Sequence, residues 1–225
     1  MRILLLVLFL TSICSYETQA QGCVAIKGTA GVCGRPSNAK GWELGVNNRY
    51  FHSYKHFVGT EEQKERVEKG TQVKNYAYEL DISLTMTLNL RWSLAATVPV
   101  LYFRRSSLYE HDGKTRHSTY SFGIGDARVA AYRWMFNPAK VHKGNLQIGL
   151  GIKLPTGNFN YQDYFYKKAD SSVLGPVDQS IQLGDGGTGI TLEINGFYNF
   201  SHKIGVYGNF FYLSNPREVN GTSTA

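Results

Sequence analysis

His52 and His56 stand four residues apart, with Glu61, Glu62 and Glu65 close behind. On a short loop helix those types would offer nitrogen and oxygen ligands to a metal. Zinc wants three or four donors in defined geometry, and this spacing fixes no third. A solvated loop of mixed charge is the preferred reading. Gly184-Asp185-Gly186-Gly187-Thr188-Gly189 has the glycines of a phosphate cradle. Such a cradle opens a helix whose amides face the anion, whereas an alternating, strand-like run follows here. The segment reads as a loop end with a bulge before Ile190. No Gly-x-Ser-x-Gly elbow is present, and the side chains of the neighbours His117 and Ser118 point apart on a strand. A triad assembled from distant strands is the remaining enzymatic alternative. The expectation is a non-enzyme with no catalytic residues, no metal and no cofactor.

A different set is marked out by position. Glu43, Arg49, Glu79, Asp81, Lys153 and Glu193 each lie on the polar side of a segment whose other side is apolar, and Asp126 and Arg128 join them. Arg or Lys facing hydrocarbon at mid-membrane costs about 2 to 4 kcal/mol. If the apolar sides meet lipid, these charges face a lumen as pore-lining residues. There they either line a wetted channel or form an ion-pair network that fills a narrow barrel, and the channel is the preferred reading.

The elements that must position them are strands. From Asn75 to Leu88, Tyr76, Tyr78, Leu80, Ile82, Leu84, Met86 and Leu88 alternate with Asn75, Ala77, Glu79, Asp81, Ser83, Thr85 and Thr87. Only a period of two puts those sets on opposite faces, and the first is expected to face lipid. The pattern recurs at Trp42 to Asn47, Trp92 to Val100, Leu146 to Leu154 and Ile190 to Asn195. It is noisier over Ser121 to Met135, where Tyr132-Arg133-Trp134 suggests a bulge or a change of face, and over Ile204 to Leu213. About seven strands result.

Their connections alternate between short (Asn89 to Arg91, Asn137 to Gly144, Ser201 to Lys203) and long (His52 to Lys74, Arg104 to Thr119, Thr156 to Gly187). Outer-membrane barrels have this asymmetry, with short periplasmic turns and long external loops. With the short turns periplasmic, Trp42, Trp92, Trp134 and Tyr198 gather at one end of the strands with Phe200. Tyr50, Tyr76, Tyr78, Tyr102 and Phe122 gather at the other. Those ends match the aromatic girdles of a membrane barrel.

The 225 residues, with net charge +7 and 42% hydrophobic and 13% aromatic content, predict one domain, and a mean hydropathy of -0.28 excludes a polytopic helical membrane protein. Arg2, the apolar run from Ile3 to Ile13 and the small residues Thr18 and Ala20 read as a signal peptide over 1–20. Residues 21–40 then form a periplasmic segment in which Cys23 and Cys33 pair as a disulfide. A lipidated Cys23 is the rival. Residues 41–225 form the barrel domain, expected to be truncated at its C-terminus because seven is odd and no aromatic strand closes the chain. The Lys and Arg residues are scattered, which argues for contact with outer-membrane lipid head groups and against nucleic acid.

Gly123-Ile-Gly-Asp126 leading to Tyr132-Arg133, then Gly149 to Gly157, then Asn195 to Phe200, resemble the outer-membrane barrels of the phenol-degradation meta-pathway transporter family. The resemblance covers roughly Gly41 to Pro216 and implies a channel of about a dozen strands that admits small hydrophobic or aromatic solutes. The fold expected is an antiparallel up-and-down transmembrane β-barrel in the bacterial outer membrane, acting as a passive pore. The alternatives are a structural or adhesive surface barrel and a soluble lipocalin-like carrier with its apolar faces inside.

Overall fold

In the computed structural model, which describes residues 40–141, 143–168, 171–201 and 203–215, the chain is all-β apart from one turn of α-helix and one of 3-10 helix. The signal peptide and the Cys23–Cys33 pair lie outside the described residues. The strands are β1 (Gly41–Ser53), β2 (Phe57–Val58), β3 (Glu61–Glu62), β4 (Lys74–Thr87), β5 (Trp92–Ser107), β6 (His117–Ile124), β7 (Arg128–Trp134), β8 (Gly144–Lys153), β9 (Gln162–Lys168), β10 (Ser171–Pro176), β11 (Gly189–Asn199) and β12 (Gly205–Ser214). A single helix, α1 (Lys64–Glu68), sits between β3 and β4.

The long strands form one antiparallel half-barrel sheet in the order β1-β4-β5-β7-β8-β11-β12, with β6 paired to the upper part of β5. This is an up-and-down meander, in which each strand pairs with the one before it. Among the described residues β1 and β12 are its two edges. The three short turns are built locally by side chains that accept backbone N–H groups. Asn89 accepts from Arg91 and Trp92 at 2.9 and 3.0 Å. Asn137 accepts from Ala139, and Ser201 from Lys203 and Ile204. Leu88, expected on the apolar face, lies beyond the end of β4 in the first of these turns, where its N–H bonds to the Trp92 carbonyl.

The alternation translates directly into burial. Along β4, Glu79, Asp81, Ser83 and Thr85 are buried on the concave face, while Ile82 and Leu84 on the other face are 39% and 43% exposed. Matched registers extend this across the sheet. Leu44, Leu84, Ala96, Val129, Ile152 and Ile190 form one outward row, and Thr85, Ala95, Ala130, Gly151 and Thr191 one inward row.

The noisy run resolves into β6 and β7, which share β5 as partner and are separated by a slip of one residue. In β6 the odd-numbered Thr119 and Ser121 face inward, and in β7 the even-numbered Arg128, Tyr132 and Trp134 do. An extra residue flips every later side chain, and here it is taken up at Gly125 to Ala127. The Gly125 N–H bonds to the Pro99 carbonyl, and a Cβ at Gly125 would lie 2.6 Å from the Leu101 side chain. Thr156 braces the bulge, its hydroxyl accepting from the Ala127 N–H and donating to the Gly125 carbonyl, both at 2.8 Å.

This slip corrects two expectations. Tyr132-Arg133-Trp134 alternates normally, because the break lies upstream of it. Trp134 therefore leaves the expected aromatic girdle and sits on the inner face, 9% exposed, edge-on to Phe197.

Candidate functional site

The concave face gathers the polar residues into separate groups. Arg49 on β1 ion-pairs with Glu79, its register partner on β4. The Ser83 and Thr97 hydroxyls are 2.9 Å apart. Lower down, the Glu193 carboxylate accepts from the Tyr132 hydroxyl at 2.8 Å and the Asn209 amide at 3.2 Å, with the Asn195 amide at 3.4 Å. Asp81, Asp126, Arg128 and Lys153 are buried on this face as well. Glu43 shares its parity but is exposed, because β1 is an edge.

The long segment between β8 and β11 returns over the upper half of this face. It contains the β9–β10 hairpin and a 3-10 turn, Gln179–Ile181, in which Asp178 caps the Ser180 N–H at 2.9 Å. Val177, Ile181 and Leu183 are almost fully buried. The Ser121 hydroxyl on β6 donates to the Ile181 carbonyl, and Leu183 packs at Gly123 and Gly125. These apolar residues anchor to the polar face because it carries Leu101 and small residues at that height.

Three polar clamps hold the segment there. In the first, Lys153 on β8 bridges Asp126 at the bulge, at 3.1 Å, and Asp185 on the returning chain. The Asp126 carboxylate also accepts the N–H groups of Gly157 at 2.9 Å and Asp185 at 3.2 Å. Gly184 fits against it because a Cβ would lie 2.7 Å from the Gly157 carbonyl. In the second, Arg105 on β5 pairs with Glu110 at 2.7 Å and Asp178 at 3.2 Å and donates to Asn75 and Ser180. In the third, His111 in the β5–β6 loop accepts the Tyr166 N–H at 3.1 Å, while His117 stacks on the Tyr166 ring with centroids 4.6 Å apart. Burial, aided by the charge of His117, holds the His111 imidazole below its ordinary pKa of 6.5. In the same loop Asp112 accepts the N–H groups of Thr115 and Lys114, which hold its carboxyl below the usual range.

On the convex face the apolar side chains are bordered by rings. At the long-loop end His52 stacks on Tyr76 with centroids 4.4 Å apart, and the Arg104 guanidinium lies over the Tyr76 and Tyr120 rings. Tyr50, Tyr78, Tyr102 and Phe122 form an exposed row beside them. At the short-turn end Trp42, Trp92, Tyr198 and Phe200 are exposed, with the Arg133 guanidinium over the Trp92 ring at 5.4 Å.

No family model matches this sequence, and comparison with curated proteins finds no relative.

His52 belongs to β1 rather than to a loop helix, and among the described residues no three His, Cys, Asp or Glu side chains converge on a metal site. Gly184 to Gly189 serves as the return of the inward segment, with Asp185 as its anchor. Sequence reasoning missed Arg105, Glu110, Asp178 and His111. Arg105 was accessible by continuing the odd parity of β5 past Leu101. The partners on the returning segment have no periodic signal of their own.

Proposed function

We propose that this chain is an outer-membrane β-barrel pore for small solutes, in which the segment between β8 and β11 narrows the lumen. The observation that supports this most is the inversion of burial: the sheet withdraws its charged and hydroxyl side chains and presents Leu44, Val46, Ile82, Leu84, Leu150, Ile152 and Ile190 outward. A soluble carrier would have the opposite arrangement, because an exposed apolar face of this extent is unfavourable in water. Ten residues separate the ring rows at Trp92 and Tyr102 along β5. At about 3.3 Å per residue and a tilt near 40°, that gives a band of about 25 Å, the height expected of a barrel's apolar belt.

The reading requires the β1 and β12 edges to be paired, since backbone groups left open in lipid cost several kcal/mol each. Further strands or a second copy would pair them. The resemblance to the phenol-degradation meta-pathway transporters extends the proposal to hydrophobic or aromatic solutes moving passively. The test is conductance and solute flux of the full-length protein in planar bilayers. Stepwise channels are expected, and a folded, inserted protein that passes neither ions nor solute would overturn the proposal.

A further inference from the structure

On the convex face, the row above the long-loop ring girdle carries a cation that no acid neutralises. His52, Tyr76, Arg104 and Tyr120 are register partners on β1, β4, β5 and β6. The Arg104 guanidinium lies 5.6 Å from the centre of the Tyr76 ring and 5.9 Å from that of Tyr120, and its Nε donates to the Ser118 hydroxyl at 3.2 Å. The side chain is nevertheless exposed, and among the described residues its terminal nitrogens have no hydrogen-bond partner and no carboxylate pairs with it. Its neighbour Arg105 faces inward and is engaged by Glu110 and Asp178. Asp163 reaches this row, but its carboxylate accepts the Tyr120 N–H at 2.7 Å and makes no ion pair with Arg104. Lys74, one row further on the same side of β4, adds a second positive charge.

Height decides what such a cation meets. Arg104 lies twelve residues beyond Trp92 on β5. At about 3.3 Å per residue and a tilt near 40°, that is about 30 Å along the barrel axis, roughly 5 Å past the Tyr102 ring row. Ring girdles mark the edge of the hydrocarbon, so this guanidinium stands in the head-group layer, where the anions are phosphates. An arginine fork receives a phosphate through two parallel hydrogen bonds. Two rings and a hydroxyl already hold this fork in place, which lowers the ordering cost of binding. Below it Tyr102, Phe122 and Ile124 are exposed side by side as an apolar lane. A cation above an apolar lane matches a lipid, whereas a free anion would use the cation alone.

We propose that Arg104 seats the phosphate of an anionic lipid in the outer leaflet, with the acyl chains lying on Tyr102, Phe122 and Ile124. The inference rests on the convex face meeting lipid and on the long loops being external, and it does not depend on the lumen conducting.

The test is native mass spectrometry of the purified full-length protein in detergent, titrated with dioctanoyl phosphatidic acid, dioctanoylglycerol and inorganic phosphate. Phosphatidic acid is expected to saturate one tight site, dioctanoylglycerol to bind far more weakly, and inorganic phosphate at equal concentration not to displace the lipid. R104Q should weaken phosphatidic acid about tenfold or more, the loss of one charged hydrogen-bonding partner. R104K, which keeps the charge but lacks the fork, should fall between. R133Q removes the same charge beside Trp92 at the opposite end of the strands and should leave the affinity unchanged. Absent lipid binding, unchanged affinity in R104Q, equal losses in R104Q and R133Q, or displacement by inorganic phosphate would overturn the site. If R104Q does not fold, R104K and R133Q decide: a loss confined to R104K supports the site, and no loss or an equal loss overturns it. A protein that stays monodisperse without detergent would overturn the lipid-facing surface and the site with it. Phosphatidic acid bound through Arg104 by a protein that conducts nothing would support the site while refuting the pore.

Discussion

Asp126 joins the bulge to the returning segment, so Asp126→Ala should release that segment while sparing the sheet. Its carboxylate receives the Lys153 ammonium and the N–H groups of Gly157 and Asp185, and it is 8% exposed. Removing it leaves two amides without an acceptor, each costing about 1 to 3 kcal/mol if they stay buried. Lys153 retains Asp185, which is 39% exposed and correspondingly better screened. Breaking a buried pair costs about 3 to 5 kcal/mol. The separate penalties overlap, because a released segment rehydrates its amides, so 3 to 5 kcal/mol is the expected total. The open population of residues 155–188 should then rise roughly a hundredfold to a few thousandfold. Hydrogen exchange reads this directly: the amides of Gly157, Leu183 and Asp185 should lose protection while those of β4 and β5 keep theirs. Asp126→Asn preserves the shape and one acceptor oxygen and should have a smaller effect. In bilayers Asp126→Ala should raise conductance by widening the lumen. Unchanged protection of the segment in a folded Asp126→Ala protein would refute the clamp.

Three further outcomes follow. Val46, 62% exposed between Trp42 and Tyr50, and Asn47 on the opposite face separate lipid from water as the outer medium. Val46→Arg should cost about 2 to 4 kcal/mol of folding in lipid vesicles and Asn47→Arg much less, and equal, near-zero effects in a folding titration would contradict a lipid-facing surface. His111 has a depressed pKa, so the folded state favours its neutral form. The stability it contributes is present above pH 6.5 and is lost as pH falls through the lower folded value. Protection of the Tyr166 amide should accordingly drop in acid, and His111→Ala should remove that pH dependence. Tyr132→Phe takes one of the donors from Glu193 and should destabilise by about 1 to 3 kcal/mol in urea unfolding; no change would mean that water replaces the phenol at no cost.

The strands were legible because each had one apolar face, and a period of two survives without any knowledge of its partner. Tyr78 to Thr85 shows this best, with Glu79, Asp81, Ser83 and Thr85 buried and Tyr78, Leu80, Ile82 and Leu84 between them exposed or half-exposed. The connections were legible in length but not in destination. Thr156 to Gly187 reads as an external loop because it has no sustained alternation, yet Val177, Ile181 and Leu183 are among the most buried residues described. Three apolar side chains spread over seven positions give no periodic signal, and their partners are Leu101, Ser121 and two glycines far away in sequence.

Parity was the decisive weakness. A single extra residue between Ile124 and Arg128 leaves the composition of the run unchanged but reverses the face of everything after it. The glycines on either side of Ile124 were visible; their consequence was not, since whether a glycine marks a bulge depends on the Leu101 side chain and the Pro99 carbonyl that press against it. The same slip explains two features that have no common cause in the sequence. It draws Trp134 away from the other tryptophans to the inner face, and it turns Arg128 inward to a place where every nearby carboxylate is already engaged. Without the extra residue, Arg128 would point outward, as Arg133 does beside Trp92. The bulge thus moves one cation from the apolar exterior into the polar concavity.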